Sequence, residues 1–189
     1  MASILKVDTI QDQSGNNIIN ENADTITIGA SGDTITIPSG ATLSNSGTLG
    51  SGMGKVLQVI QGTFTSTFNT TSTSYVATGI SASITPFSTS SKILILCNYV
   101  ADNLTADDQY GTIFRGATNL GGSTQDGLQR SNATTSGRLI LNQSISYLDS
   151  PSSVSSLTYE LYVKLGGSGN IQILGNATTC TIQLLEIAG

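Results

Sequence analysis

The sequence predicts an all-β protein: a short-repeat, β-prism-like trimeric stem followed by an antiparallel, jelly-roll-like β-sandwich. Three observations carry that expectation. Of 189 residues, 26 are Ser and 26 are Thr, while only 10% are charged, against about a quarter in ordinary globular domains. Thr suits a pleated surface, and Ser, Asn and Gly suit the turns between strands. Apolar residues come in short runs separated by turn signals, and no window shows a capped helical stripe. Finally, Asp24-Thr25-Ile26-Thr27-Ile28 recurs as Asp33-Thr34-Ile35-Thr36-Ile37, each copy closed by small residues.

Residues 1–22 come first. Ser3 to Gln11 alternates imperfectly, breaks at Ser14-Gly15-Asn16-Asn17, and resumes at Ile18-Ile19, which predicts strand, turn and strand. So little apolar area makes no core by itself. The segment is then either disordered or ordered against another protein, and Ile4, Leu5, Val7, Ile10, Ile18 and Ile19 favour docking.

The stem and a Gly-rich hinge occupy residues 23–54. Each repeat is a minimal strand with Ile on one face and Thr on the other. A degraded copy follows at Ala41-Thr42-Leu43. Burying Ile26, Ile28, Ile35, Ile37 and Leu43 within one chain cannot offset the entropy of ordering the segment, and isolated four-residue strands are marginal. Copies from several chains around one axis would make those residues a shared interior and close the strand edges. Three chains suit one apolar face per short strand, although the spacing admits another number, and the bland alternative is a flexible Ser/Gly linker.

Composition shifts at Gly50-Ser51-Gly52-Met53-Gly54, and residues 55–189 hold the sandwich. The expected strands are Val56 to Phe64, Ser74 to Gly79, Ala82 to Pro86, Lys92 to Val100, Gly111 to Arg115, Arg138 to Tyr147, Leu157 to Leu165, Asn170 to Leu174 and Thr178 to Ile187. In Leu157 to Leu165 the odd-numbered residues, Leu157 through Tyr159, Leu161 and Val163, share one face. Ile93-Leu94-Ile95-Leu96-Cys97 is apolar throughout, as in a strand covered on both sides, by the sandwich or by a neighbouring subunit. Cys97 and Cys180 fall inside strands, which favours buried free thiols over a bridge.

Composition also excludes functions. Without His the chain lacks the usual general base and the commonest zinc ligand, and no spacing selects a catalytic pair of carboxylates. No catalytic residue, metal or cofactor is expected. A net charge of -5 and 5% aromatic residues oppose nucleic-acid binding. No run is long enough to insert into a membrane, and Met1 to Val7 is short and polar for a secretory signal, so synthesis in the cytoplasm is expected.

Several segments together resemble virion structural proteins of tailed phages from marine bacteria, usually described as tail fibres. They are Ser3-Ile4-Leu5-Lys6-Val7-Asp8-Thr9-Ile10-Gln11, the Thr-Ile-Thr-Ile repeats, Gly54-Lys55-Val56-Leu57-Gln58-Val59, Ser72-Thr73-Ser74-Tyr75-Val76, Ser90-Ser91-Lys92-Ile93-Leu94-Ile95 and Leu184-Leu185-Glu186-Ile187. The resemblance implies a homotrimeric appendage of the virion. Its N-terminus would be held by another virion protein such as a tail adaptor, nozzle or capsid protein, and its head would meet a host-surface glycan or outer-membrane component. The chain is short for a phage fibre, which leaves room for a fibre or decoration protein on the capsid head. A purely architectural protein is the main competitor and a polysaccharide-depolymerising tailspike the weaker one.

Recognition on a rigid sandwich usually falls to loops. The acidic stretch Asp102 to Tyr110 and the glycine-rich connection from Gly116 to Gly137 are the two longest expected. Asp107, Asp108, Tyr110, Gln125, Asp126 and Arg130 are accordingly the expected receptor surface. Asp102, Asp107 and Asp108 lack the ligand periodicity of a calcium loop and read as turn aspartates.

Overall fold

The computed structural model describes residues 9–11, 13–14, 17–22, 25–28, 31–41, 56–122, 127–132, 138–175 and 177–189. Two compact units divide at residues 50 and 51, within the expected seam.

In the first unit, β1 (Thr9–Gln11), β2 (Asn17–Asn22) and β3 (Thr25–Ile28) form an antiparallel sheet in sequence order. Residues 13 and 14 sit in the turn, where Ser14 was expected to break the chain. The register sets Ile10 opposite Ile19 and Ile19 opposite Ile28, so residues 9–22 and the first repeat share one sheet. The second repeat departs from expectation: residues 34–38 form no strand among the described residues, and Ile35 and Ile37 are 59% and 47% exposed. A minimal strand needs a neighbour to complete its ladder. Among the described residues the chain supplies none here. Ile4, Leu5, Val7 and Leu43 lie outside the described residues, and Ile18 and Ile26 are placed by backbone alone.

The second unit is built from β4 (Val56–Phe64), β5 (Thr67–Thr70), β6 (Val76–Ile84), β7 (Lys92–Asn103), β8 (Asp108–Arg115), β9 (Thr118–Asn119), β10 (Gln129–Asn132), β11 (Leu139–Asp149), β12 (Leu157–Leu165), β13 (Ile171–Leu174) and β14 (Cys180–Ile187). All strand pairs in it are antiparallel, and no helix occurs among the described residues. One sheet runs β4-β14-β7-β11, with β5 and β13 continuing the lines of β4 and β14 end to end. The other runs β6-β12-β8-β10, with β9 beside β8. First pairs with last (β4 with β14) and each inner pair follows (β6 with β12, β7 with β11, β8 with β10), which is the wrapping of a jelly roll.

Alternation explains the core. Tyr159, Leu161, Val163 and Leu165 of β12 face Ile93, Ile95 and Cys97 of β7 and Ile182 and Leu184 of β14 in one buried cluster. Each fully buried Leu or Ile contributes roughly 1.5–3 kcal/mol. Cys97 and Cys180 are buried and free. Burial, and secondarily the neighbouring Cys180, pushes the Cys97 thiol up to about 12.

The sides of the sandwich close differently. Edge strands β4 and β6 meet backbone to backbone at Gly62 and Ser81. On the other side, Tyr99 Oη donates to Gln129 Oε1 (3.0 Å) and Gln129 Nε2 donates to Gln143 Oε1 (2.6 Å), which ties β7, β10 and β11 together.

Several expected boundaries shift for local reasons. Ser74 to Gly79 and Ala82 to Pro86 are one strand, β6, bulged where Gly79 takes φ 86° and its N–H reaches Glu160 Oε1 at 2.9 Å. The acidic stretch shrinks to residues 104–107, because β7 extends to Asn103 and β8 begins at Asp108. The expected Gly116–Gly137 loop contains β9 and β10, polar strands that pair with the free edge of β8.

Candidate functional site

The chain enters and leaves the second unit at one end. Val56 lies opposite Ile187, and Ile187 opposite Lys92. The far end is marked by Asn103, which sits opposite both Leu139 and Ile171. β7 spans the whole length with its 12 residues, about 36 Å at 3.3 Å per step. The turns at 71–75, 104–107 and 166–170 gather at that far end, tied by Leu165 N–H to Ser72 O (2.9 Å), Leu104 N–H to Asn170 O (3.0 Å) and Gly166 N–H to Asp108 O (3.0 Å).

Four of the expected receptor residues are at or beside this tip, and their roles differ. Asp107 is a staple: its carboxylate accepts the N–H groups of Asp108 (2.7 Å), Gly167 (3.0 Å) and Gly169 (2.9 Å), fixing two turns to each other. Asp108 is the centre of a polar cluster. It pairs with Arg130 (2.8 Å), accepts from Tyr110 Oη (3.2 Å), and accepts from Asn132 Nδ2. The register of β10 against β8, Arg130 opposite Tyr110 and Asn132 opposite Asp108, brings these side chains together. Desolvation pulls the Asp108 carboxyl upward, but the hydrogen bonds from Arg130, Tyr110 and Asn132 and the Arg130 charge outweigh it and hold the group below the usual carboxylate range.

Tyr110 corrects the expectation of an exposed aromatic, being 3% exposed. Arg130 lies 5.6 Å from its ring centroid and Lys164 Nζ 5.0 Å, and Lys164 also stands 4.8 Å from the Tyr75 ring. The surface offered at the tip thus includes Lys164 and the ion-paired Arg130 laid over aromatic rings. Gln125 and Asp126 lie outside the described residues.

No three metal-ligating side chains converge among the described residues. Asp102 is buried, with Oδ2 taken by Arg138 Nε (2.7 Å) and Nη2 (2.5 Å). With Asp107 and Asp108 engaged as above, the three aspartates serve separate structural contacts. Glu186 is likewise occupied, accepting from Gln58 Nε2 (2.6 Å) and Phe87 N–H (2.8 Å).

No pattern in the sequence points to a second feature. β14 begins pairing with β7 at Asn98 and β13 at Ala101, so the β7 edge at Tyr99 and Val100 carries neither strand. A shallow hollow of about 480 Å³ opens there, lined by residues that include Asn98, Asn142, Ser144, Thr178 and Thr179. Its lining is uncharged, with the amides and hydroxyls set beside the apolar side chain of Val100, chemistry that matches neutral ligands with both polar and apolar faces. Detecting it required knowing that β13 and β14 are separate strands in one line.

No family model matches the sequence, and no curated protein matches it. Among solved structures, the chain is similar to a chain of the T13 infectious bursal disease virus particle, at 12% identity and a TM-score of 0.31, covering 70% of this chain and 36% of that one. It is also similar to a chain of the infectious bursal disease virus Gx strain, at 12% identity and a TM-score of 0.32, covering 82% and 47%. The chain thus spans less than half the length of either viral chain.

Proposed function

We propose that the chain is a virion structural protein of the tailed-phage fibre kind. Residues 1–22 anchor it to another virion protein, three copies assemble through the repeats of residues 23–54, and the jelly roll meets a host-surface glycan. The observation that carries this reading is the polarity of the jelly roll: the chain enters at Val56, and the Asp108–Arg130–Asn132 cluster lies at the opposite end. A fibre head needs that arrangement, with attachment at one end and recognition at the other. Support for assembly comes from Ile35 and Ile37, whose exposure in a single chain leaves the second repeat without an interior. The resemblance of the N-terminal, repeat and strand motifs to phage fibres points the same way.

Adhesion in this scheme involves no covalent chemistry. Three weak sites per trimer, and several trimers per particle, raise avidity by about 10²–10⁴ without a tight single site. Cationic groups over aromatic rings suit an acidic saccharide at the tip, and the neutral hollow beside Asn98 suits its hydroxyls.

The test is an array of bacterial surface polysaccharides probed with the full chain. The expected result is binding to an acidic glycan, reduced at least tenfold by Arg130→Gln. A silent array, with particles lacking the protein adsorbing normally to their host, would replace adhesion by an architectural or head-decorating role. Shortening of the polysaccharide would instead reveal a depolymerase.

A further inference from the structure

The outer face of the six-stranded sheet is divided in two. Across the half nearest the chain entry runs a cross-strand row of Val59, Leu185, Leu94 and Leu148, one residue from each of β4, β14, β7 and β11. Val59 and Leu148 are 58% and 51% exposed, and Leu94 and Leu185 are partly so. Leu96 extends the row along β7, beside the neutral pair Gln61 and Gln183. Lys92 is the one ionisable side chain on this half among the described residues. Farther from the entry the face mixes amides and hydroxyls at the hollow with the side chains of Val100 and Ile140, the latter 50% exposed.

We infer that the apolar half is where the jelly rolls of neighbouring copies meet, the occupant being a second copy of this chain. The inference rests on the trimeric reading above and names the surface that reading leaves open.

Three physical arguments select that occupant. The first is the run Ile93 to Cys97, apolar at every position, as in strands covered on both faces. Within one chain, Ile93, Ile95 and Cys97 enter the core while Leu94 and Leu96 remain on the outer face, so half of that covering is missing. The second is charge. Each copy carries a net -5, and copies approach at least cost through a surface free of carboxylates.

The third is reach combined with area. Four strands at about 4.8 Å and three rows of outward side chains make a patch of roughly 400 Å² per copy, about half of what a stable partner usually contributes. Such a patch holds copies together only when something else keeps them close. In the sequence 13 peptide steps connect Leu43, the last apolar position of the repeats, to Val56, a covalent tether of about 45 Å at full extension. At that tether length the effective concentration is of millimolar order.

Solvent access in the full chain tests the inference. Ser146→Cys places a thiol beside Leu96 on the apolar half, and Ser83→Cys places one on the outer face of the other sheet. Maleimide should alkylate Ser146→Cys at least tenfold more slowly than Ser83→Cys. Adding Val59→Lys and Leu148→Lys should restore the fast rate while sedimentation still reports three chains, because the repeats are untouched. Equal rates for the two thiols in a chain that sediments as a trimer overturn the shared face and leave the fibre reading standing. A chain that sediments as a monomer overturns both.

Discussion

Gly62→Ala should be among the most damaging single-atom-scale changes in the jelly roll. A Cβ at residue 62 would lie 2.0 Å from the carbonyl oxygen of Ser81, 2.9 Å from its carbonyl carbon and 3.1 Å from Ile182 Cγ2. Carbon and oxygen in contact stay about 3.3 Å apart, so β4 would have to retreat from β6 by more than 1 Å. The obstacle is backbone, and no rotamer relieves it. Both strands are sheet edges, and their approach closes one side of the sandwich. Overpacking of this kind costs about 1–3 kcal/mol and occasionally more. The lower unfolded-state entropy of Ala gives back only about 0.4–1 kcal/mol. Because the clash is with backbone, the cost falls at the top of that range, and a net loss of about 2 kcal/mol is expected, lowering Tm by about 8 °C for a domain of this size. Thermal and urea denaturation followed by far-UV circular dichroism, at one protein concentration, would measure it. Thr63→Ala, at the exposed next position, should stay within about 0.5 kcal/mol of the parent. If Gly62→Ala also did so, the two edges would not be in contact and the closed side of the sandwich would be wrong.

Other outcomes follow from buried polar groups. Asp149 accepts from Tyr159 Oη (2.7 Å) and Arg115 Nη1 (2.6 Å), so Tyr159→Phe should cost about 1.5–3 kcal/mol in urea unfolding, with Asp149→Ala at least as harmful. Glu186 is desolvated, yet hydrogen bonds from Gln58 and the Phe87 N–H outweigh that and hold its carboxyl below the usual range. Its contribution is present above the ordinary carboxylate pKa and lost as pH falls through the lower folded value, so Glu186→Gln should flatten the acid limb of the stability profile. A thiol-reactive dye should leave Cys97 and Cys180 unlabelled in the native chain and label both in urea, since both are buried and the Cys97 thiol is pushed to about 12.

Strands that alternate against a core were legible in the sequence, and strands that exist only as partners were not. Val56–Phe64 and Leu157–Leu165 match their expected bounds because each turns alternate apolar residues to the core, Ile60 and Phe64 from one sheet and Tyr159, Leu161, Val163 and Leu165 from the other. Gln129–Asn132 has no apolar residue and becomes β10 solely by pairing with β8, so periodicity could not show it. The β6 bulge at Gly79 breaks the alternation and makes one strand look like two. At the tip, composition located Asp107, Asp108 and Arg130 but could not assign them. Whether a loop aspartate faces a ligand or three backbone N–H groups depends on turns some 60 residues away, as with Asp107 and Gly167. Tyr110 looked like a contact residue and is instead the base on which Arg130 and Lys164 rest. In the first unit the Thr-Ile pattern repeats, and among the described residues its first copy finds a strand neighbour in the same chain while Ile35 and Ile37 do not. The pattern specifies an apolar face without specifying what covers it.

Sedimentation equilibrium of the full chain at micromolar concentration addresses that question most directly. Ile35 and Ile37 have no interior in one copy, so the account predicts a single species of three times the 19.5 kDa chain mass, dissociating when Ile35→Asp and Ile37→Asp are combined. A stable 19.5 kDa species across that range would contradict it.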